Sequence, residues 1–195
     1  VQTLEHTPAI VHRGPFANIA HGCNAILQTK LPLKLGDIVI TEAGFGADLG
    51  AEKFLDIKCH YGDIYPDAVV LVATIRALKM HGGVAKKDLG IENPKAVGEG
   101  FVNLAKQVEN MRAFGLPVLV AINKFATDTP AEIDMLLQKC DSYGVDVTLN
   151  ECWEKGGAGG IDMANQVAAM VDVTDIKQGM MYDVNAPITT KIEKV

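Results

Sequence analysis

Among these 195 residues no apolar run approaches the roughly 20 residues that a membrane-spanning helix needs, so no such segment is expected. No basic block is present either. The 24 Asp and Glu outnumber the 18 Lys and Arg, and a net charge of −6 leaves nothing to replace counterions along a nucleic acid. Cysteines 23, 59, 140 and 152 form no Cys-x-x-Cys pair and no framework spacing, which argues against a disulfide scaffold and for reduced thiols in a cytoplasmic protein. His21-Gly-Cys23 and Cys59-His60 lack the second pair of a zinc site, and core packing is their simpler reading. Two nucleotide signatures are missing as well. There is no Gly-x4-Gly-Lys-Ser/Thr phosphate loop, and no Gly-x-Gly-x-x-Gly directly follows a strand-like run. Aromatic residues make up only 6% of the chain, with one tryptophan, so each exposed ring is worth locating.

What is present is the balance of a globular protein, 48% hydrophobic and 22% charged. A chain of this length buries roughly 70% of its unfolded surface, enough for one substantial core or one domain with a tail. Four short apolar runs read as buried strands, at 37–41, 67–73, 117–122 and 145–149. Helical periodicity is expected near 16–30, 48–59, 94–114, 131–142 and 161–172. Asn93-Pro94 is a cap followed by proline at the first helical position, and Thr129-Pro130-Ala131-Glu132 is a capping box. Strands alternating with helices imply βαβ units and a parallel sheet flanked by helices, a three-layer α/β fold. Residues 1–172 are read as that domain and 173–195 as a linker or the start of a following domain.

The chain is organised around residues 37–50, DIVITEAGFGADLG, where a predicted strand runs into Glu42 and a loop with Gly44, Gly46 and Gly50. Ligands bind open α/β sheets at the carboxyl ends of strands, and glycines let backbone N–H groups face a phosphate. Two readings of Glu42 stand: a carboxylate on magnesium beside that phosphate, or the cap of a tight strand-to-helix turn. The other chemistry-bearing residues, Thr74 to Arg76, Asn123 to Phe125 and Trp153, also follow predicted strands.

Residues 72–83, VATIRALKMHGG, resemble a signature of the formate–tetrahydrofolate ligase family. The likeness extends to TLEHTPA (3–9), GPFANIAHGCN (14–24), TEAGFGADLGAEKF (41–54), the AINKF and TDT pieces of 121–129, and the W-x-KGG-GG turn at 153–160, in the family's order. Arg13 and His60 depart from it, where the family usually carries glycine and arginine. The resemblance implies a relative of the P-loop nucleotide-binding fold that makes 10-formyltetrahydrofolate from formate, ATP and tetrahydrofolate through formyl phosphate. It also implies Mg2+, a monovalent cation (K+ or NH4+) and a homotetramer. The sequence opens at Val1 inside familial sequence, which reads as a piece of a longer protein whose phosphate loop lies upstream, inactive by itself.

Transferring a phosphoryl group to formate joins two anions, so cations and N–H donors are required. Glu42, Arg76 and Lys79 are the candidates for catalytic work, with Glu42 as the metal carboxylate. Gly44 and Gly46 are the candidates for phosphate contact. Arg76 and Lys79 read equally well as structural, and His81 as a turn residue. Asn123-Lys124 resembles the Asn-Lys-x-Asp base-reading motif, although Asp128 comes too late for its aspartate. By resemblance, Phe125 and Trp153 sandwich the pterin ring, with Leu149 beside Trp153. Two other classes remain open from the residues themselves: a nucleotide-dependent switch and a domain that folds without a ligand. An exposed aromatic pair separates them, since a switch needs no pterin platform.

Overall fold

The computed structural model describes residues 1–11, 23–172 and 180–195. They fall into two compact units, Pro66–Lys177 on the one hand and Val1–Tyr65 with Gln178–Val195 on the other.

In the unit Pro66–Lys177, the strands β1 (Val69–Ala73), β2 (Val118–Asn123) and β3 (Asp146–Asn150) form one parallel sheet in sequence order. Val69 lies opposite Val118, and Leu119 opposite Asp146. The crossovers run through α3 (Ile75–His81) and α4 (Pro94–Ala113) from β1 to β2, and through α5 (Pro130–Tyr143) from β2 to β3. Next come the short α6 (Cys152–Lys155), a 3-10 turn over Gly156–Gly160, and α7 (Ile161–Asp172). The expected α/β class, three of the expected strands and three of the helices are found. The start signals act as read: Asn93 Oδ1 accepts from the Ala96 N–H at 3.0 Å, and Thr129 and Glu132 cap each other reciprocally.

The core is built on β2, whose Val118 to Ile122 are all buried, together with the buried Leu104, Val108 and Met111 of α4 and Leu136 and Cys140 of α5. Helices α3 and α4 cross closely because Gly100 of α4 and Gly82, the C-cap of α3, leave room there. A Cβ at Gly100 would overlap the Leu78 carbonyl oxygen, and one at Gly82 the Ala96 carbonyl oxygen. The β1 run is buried less than its continuous apolar sequence implies. Helix α7 packs on β2 and β3, while Val70 and Val72, which share one face of β1 by alternation, stay 38% and 62% exposed.

The unit of Val1–Tyr65 and Gln178–Val195 departs further from expectation. The run 37–41 is not a strand: it has no ladder partner among the described residues, and Ile38 and Ile40 are 60% and 88% exposed. β-branched apolar residues favour a strand only where a neighbouring backbone takes their N–H and C=O groups and another layer covers their side chains. Part of the helix expected over 16–30 lies outside the described residues, and the rest is the short α1 (Ile26–Lys30). The helix expected over 48–59 is present with wide, π-type turns, Ala47–Ala51 and Lys53–Cys59, and runs into α2 (His60–Gly62). Within the stretch read as a linker, Ile188–Lys194 is helical (α8), with Ile188 and Ile192 exposed.

Candidate functional site

The carboxyl ends of the three strands share one edge of the sheet, and the candidate site is built along it. On β1, Thr74 caps α3 by accepting from the Ala77 N–H at 3.1 Å, which leaves Arg76 exposed in the first turn. The β2–β3 ladder closes on the pair Asn123 and Asn150, with Asn150 Nδ2 3.5 Å from Asn123 Oδ1. The Lys124 N–H adds one more rung, donating to the Asn150 carbonyl at 3.1 Å. Beyond it Phe125 turns outward, 40% exposed, its N–H donating to Asp128 Oδ2 at 2.8 Å. Burial raises the Asp128 carboxyl, and that N–H and the more distant Lys79 and Arg76 charges only partly offset it.

Beside that loop, the end of β3 turns into α6. Asn150 Oδ1 accepts from the Cys152 N–H at 3.1 Å, and the Glu151 carbonyl accepts from the N–H groups of Glu154 and Lys155, at 3.1 and 2.9 Å. This single turn presents Trp153 to solvent, 83% exposed. Gly156 (φ 60, ψ −148) then reverses the chain in a conformation open only to glycine. The Gly-rich turn folds back so that the Gly159 carbonyl accepts from the Glu151 N–H at 3.0 Å. No side chain fits at Gly159, because a Cβ there would overlap the Glu151 carbonyl. Leu149 sits half-buried in β3, paired with Ile122.

Glu151 joins the two loops. One of its oxygens is 2.6 Å from Lys124 Nζ and the other 2.5 Å from Lys155 Nζ. Those hydrogen bonds, Lys124's first, pull its carboxyl down to about 2, and Glu151 in turn raises Lys124. The residues of the near-miss base-reading motif are therefore engaged internally, Lys124 with Glu151 and Asp128 with the Phe125 backbone.

Lys79 is the candidate most changed by the structure. It is 1% exposed, 2.7 Å from Glu132 Oε1, and donates to the Ile91 carbonyl at 3.1 Å. Glu132, fully buried, also accepts from the N–H groups of Asn93 (2.9 Å) and Thr129 (3.1 Å). Burial alone would raise its carboxyl, and the bonds from Lys79, Asn93 and Thr129 together bring it below the usual range. The charge of Lys79 is thus spent inside the protein, tying α3 to α5 and to the loop before α4. Sequence reasoning missed Glu132 beyond its cap role and missed Glu151 altogether. The one legible signal for Glu151 was a lysine four residues later on a helical turn.

Glu42, Gly44 and Gly46 belong to the other unit. Glu42 is exposed and follows no strand, so the expected common edge holds for three of the four groups. The glycine loop closes on itself: a Cβ at Gly50 would overlap the Gly44 carbonyl, the Gly50 N–H donates to the Gly46 carbonyl at 2.9 Å, and Phe45 adopts φ 64. Just before Glu42, Thr41 Oγ1 donates to Asn24 Oδ1 at 3.1 Å, as do Thr29 Oγ1 at 3.2 Å and the buried Lys58 at 2.5 Å. Burial lowers Lys58 and raises the Cys23 thiol, which Lys58 lowers again and Glu42 raises. Among the described residues no group of three His, Cys, Asp or Glu side chains stands at metal-holding spacing. A lone exposed carboxylate still suits Mg2+, which keeps most of its waters and takes its other ligands from phosphate.

Compared with known families, the chain matches the model described as formate–tetrahydrofolate ligase over residues 1–195, its full length.

Proposed function

The chain belongs to the formate–tetrahydrofolate ligase family, and on that premise we propose that it takes part in ATP-dependent ligation of formate to tetrahydrofolate, through formyl phosphate, with Phe125 and Trp153 as the two walls of the pterin site. One observation carries this reading. The two aromatics stand exposed on loops that leave adjacent parallel strands, just past the Asn123–Asn150 pair. Neighbouring strands lie about 5 Å apart, and a ring held between two others needs roughly 7 Å, so small loop adjustments complete the sandwich. An exposed tryptophan gains from such a partner both apolar burial and offset stacking.

The other candidates take further roles in the same reaction. Leu149 lines its base, and Arg76 offers an exposed cation on the same sheet edge. Asn123 contributes polar contacts for adenine. In the other unit Glu42 serves magnesium, and Gly44 and Gly46 lie beside phosphate. Lys79 acts at a distance, holding the frame that carries Arg76. When bound, ATP supplies the phosphoryl group that activates formate as a mixed anhydride. The platform holds the pterin so that a ring-side nitrogen reaches the formyl carbon while water is kept away. Residues 1–195, without a Gly-x4-Gly-Lys-Ser/Thr segment among them, are not expected to turn over alone. The monovalent cation, a tetrameric assembly and a cytoplasmic setting belong to the same reading.

Steady-state kinetics of an active enzyme containing these residues tests the reading. Trp153→Ala and Phe125→Ala should each raise the KM for tetrahydrofolate and leave those for ATP and formate nearly unchanged. Equal losses for all three substrates would mean that the aromatics only support the fold.

A further inference from the structure

We propose that Glu151 is the positioning residue that fixes the two walls of this platform relative to each other, by holding Lys124 and Lys155 at the same time. The proposal rests on the pterin-platform reading above.

The bonding is what distinguishes Glu151 from an ordinary surface ion pair. Exposed pairs contribute little, because water competes and both side chains are free to rotate. Here the carboxylate side chain is 18% exposed, Lys124 31% and Lys155 51%, and each oxygen serves a different lysine: Oε1 takes Lys124 at 2.6 Å, and Oε2 takes Lys155 at 2.5 Å, so the partly buried Lys124 bond is the stronger of the two. Its backbone is fixed too. The Glu151 N–H donates to the Gly159 carbonyl at 3.0 Å, and Gly159 packs so closely on the Glu151 carbonyl that no Cβ fits between them.

The covalent path then carries that fixation to the rings. Lys124 immediately precedes Phe125, and its own N–H is bound to the Asn150 carbonyl at 3.1 Å. Lys155 lies two residues after Trp153, on the same helical turn, with its N–H on the Glu151 carbonyl at 2.9 Å. One carboxylate thus connects the loop that bears Phe125 to the turn that bears Trp153. The other links across these loops run through Asn150, at the strand ends, whereas the Phe125 loop's further polar side chain, Asp128, bonds to the Phe125 backbone in its own loop. A group that bridges two walls sets their gap in advance, so the ligand need not order them on binding.

Glu151→Gln is the test, because it keeps size and polarity while removing the charge that holds two ammonium groups at once. In an active enzyme containing these residues it should raise the KM for tetrahydrofolate by about three- to tenfold. The KM for ATP and formate should move less than about twofold, which a general loss of structure would not reproduce. Lys124→Gln should give a similar rise, and the double variant Lys124→Gln/Glu151→Gln little more than either single one, since both remove the same bridge. If Glu151→Gln does not yield folded enzyme, Lys124→Gln/Lys155→Gln removes the bridge while leaving the Glu151–Gly159 backbone contact, and should show the same selective rise. A tetrahydrofolate KM unchanged in these variants, while Trp153→Ala raises it, overturns the role of Glu151 and leaves the platform intact. A tetrahydrofolate KM unchanged in Trp153→Ala itself overturns the platform, and the Glu151 proposal with it.

Discussion

Lys79 Nζ lies 2.7 Å from Glu132 Oε1 with both side chains sealed from water. Such a pair adds little net stability compared with an apolar pair of equal volume, yet breaking it strands a charge in the interior. Lys79→Met should therefore destabilise the protein by about 3–5 kcal/mol in denaturant unfolding. Adding Glu132→Leu should not restore the loss fully, because the Asn93 and Thr129 N–H groups would then lose their acceptor. A change of less than about 1 kcal/mol in Lys79→Met would show that the Glu132 carboxylate left behind reaches water or takes up a proton.

Acid should weaken the protein partly through Glu151. Its carboxyl sits at about 2 in the fold against 4.5 in the reference state. A depressed value means that the stabilisation is complete above pH 4.5 and fades as pH falls toward 2. Glu132, also depressed, acts in the same direction. Urea midpoints measured from pH 5.5 down to the limit of folding, roughly pH 3, should therefore fall less steeply for Glu151→Gln than for the unmodified protein. Parallel curves would place the Glu151 carboxyl near its ordinary value.

Glycine at 159 is required by the close approach of two backbones. Gly159→Ala should destabilise by about 1–3 kcal/mol, the usual penalty for overpacking. It should also disturb the turn that presents Trp153, which a shift in the tryptophan emission maximum would register. Gly90→Ala is the matched control, since a Cβ there meets nothing within 4 Å. Equal tolerance at both positions would mean that the Gly-rich turn does not rest on Glu151.

Burial pushes the Cys59 thiol up to about 12 and that of Cys140 up to about 11. Since the thiolate is the reactive form, both should resist an aromatic disulfide reagent at pH 8 until denaturant opens the fold. Mass spectrometry of tryptic peptides reads each site separately. Rapid labelling of either cysteine in the native protein would contradict its burial.

The sheet-bearing unit was legible because its signals are local and agree with one another. A capping box, an Asn-Pro start and helical apolar spacing placed α4 and α5 to within a residue or two, and Gly115 and Gly144, just past their ends, take positive φ. The run 37–41 misled because Ile38-Val39-Ile40 has strand chemistry but no described partner, and pairing is a tertiary fact that no short run contains. Glu132 was read only as a cap. Its second job depends on Lys79, 53 positions away, and on the packing of α3 against α5. Glu151 escaped for the same reason, since its bond to Lys124 spans 27 positions. The exposure of Phe125 and Trp153 followed from their places after strands, whereas the carboxylate between their loops did not.

The pterin platform is tested most directly by the intrinsic fluorescence of Trp153, the only indole in these 195 residues, in an enzyme whose other tryptophans, if any, are replaced. Titration with tetrahydrofolate, corrected for absorption, should give saturable quenching. Phe125→Ala should weaken the fitted affinity by about two- to tenfold, the equivalent of about 0.5–1.5 kcal/mol of lost stacking. ATP and formate without tetrahydrofolate should leave the signal unchanged. Quenching that fails to saturate, or an affinity indifferent to Phe125→Ala, would contradict the account.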